Sequence, residues 1–387
     1  MSLEDEVFTL DELGYLGRGK SKHRPRNDPQ LYGGEYPFVQ TGDVKAANLY
    51  LKNYSGTYND FGLAQSKLWK KGTLVITIAA NIAETAVLGQ DSCFPDSVVG
   101  FEPNEDKVNS FFIKYYIDHI KREMQSISQG TTQDNLSLEK LRTFKFKVPC
   151  KQSVDEITEV LLSYDKLIEN NNRRIAILEE MAQSLYREWF IKFRFPGHDQ
   201  CQMVESPLGL IPEGWEVKTL KKSMELAYGK ALKKADRKGG EVAVYGSGGI
   251  GGFHNTALVN GPCIIVGRKG NVGSIFWCEH DCWPIDTVFY VKSEHSKYYL
   301  YFNLLHQTFH NSDAAVPGLN RESAYSNKLI LPETEVVAKF DEIIDPMFSQ
   351  LKNLRAKNEN LKKQRDLLLP KLISGQIDLS QAEQASA

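Results

Sequence analysis

Three kinds of residue in this chain are equipped for chemistry. Cys278-Glu279-His280-Asp281-Cys282 puts two thiols, an imidazole and two carboxylates in one short segment, donor types that bind a transition metal. Gly246-Ser247-Gly248-Gly249-Ile250-Gly251 satisfies GxGxxG after a strand-like run, the spacing that cradles a dinucleotide pyrophosphate on backbone amides. Two basic clusters are suited to holding phosphates without any reaction: Arg18, Lys20, Lys22, Arg24 and Arg26, and Lys230, Lys233, Lys234, Arg237 and Lys238.

The catalytic options fail on context. The cysteine segment lacks the second ligand pair of a structural zinc site, so no metal is expected. After the Gly-rich run, Phe253 to Pro262 carries Asn255, Asn260 and Gly261, a poor helix, which argues against a dinucleotide site. The chain has no GxxxxGK[ST] segment for nucleotide hydrolysis and no Asn/Asp-Pro-Pro-aromatic segment for methylating a base amino group. No catalytic residues and no cofactor are expected on this chain, which reads as a binder.

The basic clusters gain weight because they recur. Glu6, Val7, Thr9, Leu10, Leu16, Gly19 and Lys20 return in order, about 210 residues later, as Glu216, Val217, Thr219, Leu220, Leu226, Gly229 and Lys230, and each copy leads into its cluster. Equivalent positions predict an equivalent task, phosphate attraction on a DNA-binding surface. Gly267 to Gly273 adds Arg268, Lys269 and Asn271 as donors to base edges or phosphates; its counterpart from Ile78 to Ala83 keeps Asn81 but no charge, so the two globules should read different sequences. Polar loops add Gln129, Thr131, Thr132 and Asn135 in one copy and Asn320 and Arg321 in the other. Gln40, Thr41 and Ser247, at the ends of strand-like runs, complete the predicted DNA contacts.

What positions these loops is a repeated architecture of globule, helix, globule, helix. Tyr36 to Gln40, Leu74 to Ile78 and Ser97 to Phe101 read as strands before a helix from Phe111 to Ile127; Glu241 to Tyr245, Cys263 to Val266 and Thr287 to Val291 repeat the order before a helix from Tyr298 to His310. Leu161, Ile168, Ile175, Ala182 and Trp189 form one seven-residue row, and Ile157, Tyr164, Asn171, Leu178 and Leu185 a second. Ile344, Leu351, Asn358, Arg365 and Leu372, with Phe340, Met347, Leu354, Leu361 and Leu368, repeat both rows in register. Matched heptads predict that the segments pair, through Ile168, Asn171, Ile175, Leu178 and Leu185 against Leu351, Leu354, Asn358, Leu361 and Leu368, and the return that closes the repeat symmetry predicts that the pair is antiparallel. Four or more heptads at about 1.5 Å per residue make a rod of roughly 50 Å. The first helix should end at Phe193-Arg194-Phe195-Pro196-Gly197, and Pro346 should start or kink the second.

Composition is that of a soluble globular protein, with 41% apolar and 25% charged residues and a formal charge of -2. At 387 residues there is room for two or three domains. Cys93, Cys150, Cys201, Cys263, Cys278 and Cys282 are scattered without a CxxC pair. With no leader-like start and no apolar run of about 20 residues, the cytoplasm is the expected compartment.

Taken in order, the motifs resemble one family over nearly the whole chain, the DNA-specificity subunit of type I restriction-modification enzymes. Leu210-Ile211-Pro212-Glu213-Gly214-Trp215 is similar to the entry of its second target-recognition domain, and Val244-Tyr245-Gly246-Ser247-Gly248-Gly249-Ile250-Gly251 to the strand-turn that follows. Gly267 to Gly273, Trp283-Pro284-Ile285-Asp286-Thr287, Arg187-Glu188-Trp189-Phe190 and Leu368-Leu369-Pro370-Lys371-Leu372-Ile373-Ser374-Gly375 are also family-like. The Pro, Glu and Gln that usually open each conserved helix are degraded here, to Val148-Pro149-Cys150-Lys151-Gln152 and Leu331-Pro332-Glu333-Thr334-Glu335.

The resemblance implies an α+β chain with an internal pseudo-twofold repeat, two similar β-rich target-recognition domains separated by two long antiparallel coiled-coil helices. The expected boundaries are 1–150 and 196–332 for the recognition domains, the second including its linker, 151–195 and 333–376 for the helical regions, and 377–387 for the tail. It also implies double-stranded DNA as ligand, each globule reading half of a bipartite asymmetric site while the helices set the gap. Two methyltransferase subunits would dock along the helices and restriction subunits would join them, with S-adenosylmethionine and ATP/Mg on those partners. The rival expectations are a two-headed protein scaffold, which needs the rod but not the recurring basic loops, and a nuclease, for which no paired carboxylates stand out.

Overall fold

The computed structural model describes residues 6–128, 136–310, 318–377 and 379. The chain forms two compact units, one of residues 1–170 with 357–387 and the other of residues 171–356.

The seven recurring residues do the same local work in each unit. Glu6–Phe8 pairs antiparallel with Phe146–Val148, and Glu216–Thr219 pairs antiparallel with Lys328–Leu331. Thr9 and Thr219 head the short helices Leu10–Leu13 and Leu220–Ser223 in extended conformation. At the first of these the Glu12 carboxylate accepts from the Thr9 amide at 2.6 Å, which satisfies a donor the helix leaves free. Leu10 and Leu220 are fully buried, and Leu16 and Leu226 enter the cores from the next strand.

The sheets repeat as well. In the first unit Gly14–Arg18, Val98–Pro103, Leu74–Thr77 and Thr85–Leu88 lie side by side, with Tyr50–Leu51 added at the edge. In the second, Glu225–Tyr228, Val288–Lys292, Cys263–Gly267 and Ile275–Cys278 take the same order. A further small sheet in each contains one parallel pairing, Phe38 beside Cys93 and Ala243 to Tyr245 beside Cys282 to Pro284. Helices Ser110–Ser128 and Lys297–Leu305 cover the larger sheets.

Strand positions follow the expected order, beginning at Tyr32 rather than Tyr36 in the first case. The helix expected to reach His310 ends at Leu305. The next residues leave the helix because Asn327 Nδ2 donates to the Thr308 carbonyl and Gln307 Nε2 to that of Lys328.

Two long helices complete the fold, Lys151–Tyr186 and Thr334–Ile373, each contributing to both units. In the first unit Ile157 and Leu161 share a core with Leu368, Leu369 and Leu372; in the second, Leu178, Ala182 and Tyr186 share one with Phe340, Ile344 and Leu351. Early residues of one helix thus pack with late residues of the other, and the helices are antiparallel. No residue of the two heptad rows in either helix is exposed, and Asn171 and Asn358 are buried among them. The second helix neither starts at Pro346 nor breaks there: it begins at Thr334 and runs through the exposed proline. The buried side chains of Phe340, Ile344, Phe348 and Leu351, on both sides of it, outweigh the one hydrogen bond a proline removes. The first helix ends in a π-turn from Arg187 to Ile191, and Phe193 and Gly197 take left-handed backbone angles of 57° and 92° where the chain turns away. Among the described residues no helix is long and apolar enough to cross a membrane.

Candidate nucleic-acid interface

One hydrogen-bonded frame builds the candidate loops twice. In the first unit Gly19 N donates to Val98 O (2.9 Å), Lys20 N to Phe94 O (3.0 Å), Ile78 N to Ser97 O (3.0 Å) and Leu136 N to Ile78 O (2.9 Å). In the second, Gly229 N donates to Val288 O (3.3 Å), Lys230 N to Pro284 O (3.0 Å), Arg268 N to Thr287 O (2.9 Å) and Leu319 N to Arg268 O (2.7 Å). The frame explains the recurring glycine. A Cβ on Gly19 would lie 2.3 Å from the Phe94 and Pro95 carbonyls, and one on Gly229 2.2 Å from that of Ile285, so any larger residue would push the loop off. The same alignment equates Ile78 with Arg268, Asn81 with Asn271, and Ala80 and Ala83 with Gly270 and Gly273, all four at positive φ. The two alanines accept a backbone that glycine adopts freely.

In the first unit Arg18, Lys20, Lys22, Arg24 and Arg26 are all exposed. Two of them have internal duties. Arg26 Nη2 donates to both carboxylate oxygens of Asp96, at 2.7 and 2.9 Å, and Arg24 Nη1 donates to the Ser21 and His23 carbonyls. Gln40 precedes the helix Thr41–Ala46 and its amide donates to Asp43. Thr41 is half-buried at the start of that helix, and Asn81 Oδ1 accepts from Lys45 Nζ at 3.2 Å. Gln129, Thr131, Thr132 and Asn135 lie outside the described residues.

In the second unit Lys230, Lys233, Lys234, Lys238, Lys269 and Asn271 are exposed. Arg237 differs: its Nη1 donates to the Gly251 carbonyl at 2.6 Å and ties the basic loop to the neighbouring hairpin. Ser247 is half-buried and its carbonyl accepts from Ser274 Oγ. Asn320 Oδ1 caps the helix Arg321–Ser326 by accepting from Glu322 N and Ser323 N. Arg268 and Arg321, distant in sequence, meet over one ring: their guanidinium carbons lie 5.0 and 4.8 Å from the centre of Tyr228. Arg268 Nη1 also donates to the Asp286 carbonyl at 3.0 Å. Tyr228 was not a predicted site residue. Its only signal is position, immediately before Gly229-Lys230, where the first copy has Arg18.

The Gly-rich run proves to be a hairpin. Val242–Gly246 turns back into the antiparallel strand Gly249–His254, so no helix N-terminus exists there to face a pyrophosphate.

Charge also holds the helices. In the first unit Arg365 pairs with Asp165, whose other oxygen accepts from Tyr115 at 2.5 Å. Burial and then the Asp165 carboxylate push the Tyr115 hydroxyl well above the usual tyrosine range. Burial alone would lower the Arg365 pKa, but Asp165 and Asp366 more than reverse this. In the second unit Arg355 bridges Glu179, at 2.6 Å, and Glu279.

Known proteins share this arrangement. A family model, the type I restriction modification DNA specificity domain, matches residues 4–180 and 212–364. The MjaIX type I restriction enzyme specificity subunit of Methanocaldococcus jannaschii is 23% identical, across 96% of this chain and 93% of its own length. The HindI specificity subunit of Haemophilus influenzae is 22% identical, across 88% of this chain and 94% of its own. Among solved structures, the S subunit of a type I restriction-modification system from M. genitalium superposes with a TM-score of 0.59 at 17% identity, covering 96% of both chains, a likeness of fold. With both matched segments falling on the two structural repeats, the chain belongs to the type I restriction-modification DNA specificity family.

Proposed function

We propose that this chain is the non-catalytic, sequence-reading subunit of a type I restriction-modification complex, in which each globule contacts one half of a bipartite DNA site. The observation that carries this is the frame built twice, which presents exposed lysines after Gly19 and Gly229 at equivalent positions. The mechanism is positional. Exposed lysines hold phosphates, while Arg268, Asn271 and Arg321 contact base edges. Because the place of Arg268 is taken by Ile78 in the first globule, the two half-sites should differ. The antiparallel helices set the unread gap and dock two methyltransferase subunits; restriction subunits complete the endonuclease. S-adenosylmethionine and ATP/Mg belong to those partners, and the complex works in the cytoplasm.

Replacing Lys230 and Lys234 together by alanine should weaken binding to all sequences alike. In a titration of affinity against salt, the logarithmic slope should fall by about 2, near one unit for each lost phosphate contact. An unchanged slope would remove both residues from the interface. Arg268→Ala should cost about 1–3 kcal/mol at one base position of one half-site. Uniform weakening in a substitution series across both half-sites would instead make Arg268 a phosphate contact.

The decisive experiment co-expresses the chain with its methyltransferase subunits and maps methylated bases across the genome. A bipartite motif with a constant unread gap is the expected result. An intact, cofactor-supplied complex that marks no motif would favour a two-headed scaffold.

A further inference from the structure

The second unit brings Cys263 to the two cysteines of the 278–282 segment. Cys263 lies directly opposite Cys278 in the antiparallel register of their strands. Cys282 opens the next strand and is fixed from both sides by hydrogen bonds between its backbone and Val259. All three side chains are buried, and their sulfurs lie within 4.8 Å of one another, with 3.6 Å between Cys263 and Cys282. Sulfurs bound to one metal ion at about 2.3 Å stand roughly 3.8 to 4.0 Å apart.

A single buried cysteine behaves as a small apolar residue. Three converging on one point, with polar groups around them, do not fit that description. Tyr245 is buried in the same small core as the three cysteines, and Cys278 Sγ lies 3.0 Å from the His280 carbonyl. Lys297 donates to the carbonyl of Pro262, next to Cys263, and places a positive charge beside a set that would carry excess negative charge when ionised. The cluster is also a property of one globule. By the hydrogen bonds that align the repeats, Cys263, Cys278 and Cys282 correspond to Thr73, Leu88 and Ser92, which could not form a thiolate set.

We propose that Cys263, Cys278 and Cys282 bind a thiophilic metal ion, Zn2+ or Cu+, and so clamp the 275–282 segment to the strand that leads into Arg268. Each thiol releases its proton to solvent as its sulfur–metal bond forms, and no electron is transferred. Cu+ is satisfied by three thiolates. Zn2+ would add a fourth donor, the Tyr245 oxygen or water.

The test uses the full chain carrying Cys150→Ser and Cys201→Ser, which removes the more accessible thiols. The protein is stripped with a chelator and then titrated with Zn2+ or, without oxygen, with Cu+. One ion retained per chain and a Tm that rises with metal and falls again with chelator are expected; the ion that does this identifies the natural class. Cys278→Ala should abolish retention. Since that variant could lose its fold, X-ray absorption at the metal edge of the parent protein gives an independent readout and should show three sulfur neighbours. Failure of both ions to be retained, or a bound ion without sulfur neighbours, would overturn the proposal and leave three ordinary core thiols.

Discussion

Phe340→Ala should destabilise the second unit by about 3–5 kcal/mol, the range for deleting a fully buried aromatic ring. Phe340 has no exposed surface, and its ring centre lies 4.9 Å from Phe190, 5.9 Å from Trp189, 6.3 Å from Phe302 and 6.4 Å from Tyr186. Those partners come from the first long helix and from the helix over the sheet, so the cavity would open where three elements meet and cannot collapse by moving one. Ile343→Ala, on the 40% exposed side of the same helix, is the control and should cost under about 0.5 kcal/mol. Denaturant unfolding, with hydrogen exchange along residues 175–186, reads both. A loss below about 1 kcal/mol for Phe340→Ala would mean that the helix is not held by this cluster.

Asp165→Ala should cost the first unit about 3 kcal/mol, mainly by leaving its partners stranded. Asp165 accepts from both Arg365 and Tyr115, so that side chains from three different helices meet, and Tyr115 is 1% exposed. Asp165→Asn keeps an acceptor for Tyr115 and should cost less. The double variant Asp165→Leu with Arg365→Met, which removes both charges, should recover much of the loss, because in Asp165→Ala the largely buried Arg365 keeps only the exposed Asp366 as its partner. A double variant no more stable than Asp165→Ala would contradict this. The Tyr115 hydroxyl adds a pH signature. Its folded pKa is raised, so its contribution is complete below the ordinary value of 10.0 and is lost as pH rises beyond it. Tyr115→Phe should remove that alkaline decline.

The heptad rows were legible because a helix repeats every 3.6 residues and a buried stripe must follow it, as Ile168, Leu351 and Leu354 do. The seven recurring residues were legible because each serves a local need, a cap at Thr9, a core position at Leu10, a close approach at Gly19. Their recurrence also predicted that the basic loops would be built twice on one frame. Pro346 misled because local propensity was weighed without the apolar contacts that carry the helix through it.

Periodicity and motif order were enough for the repeat, the α+β architecture and the family, whereas pairing of the two helices within one chain emerged with the cores they share. Which charges are free and which are spent emerged with the packing: Arg26 on Asp96, Arg237 on Gly251, Asp165 on Arg365. It alone stacked Arg268 and Arg321 on Tyr228 and brought Cys263 to Cys278 and Cys282. Such pairings join residues 14 to 200 positions apart in the chain, and local spacing carries no record of which distant partner the packing of sheets and helices will bring within reach.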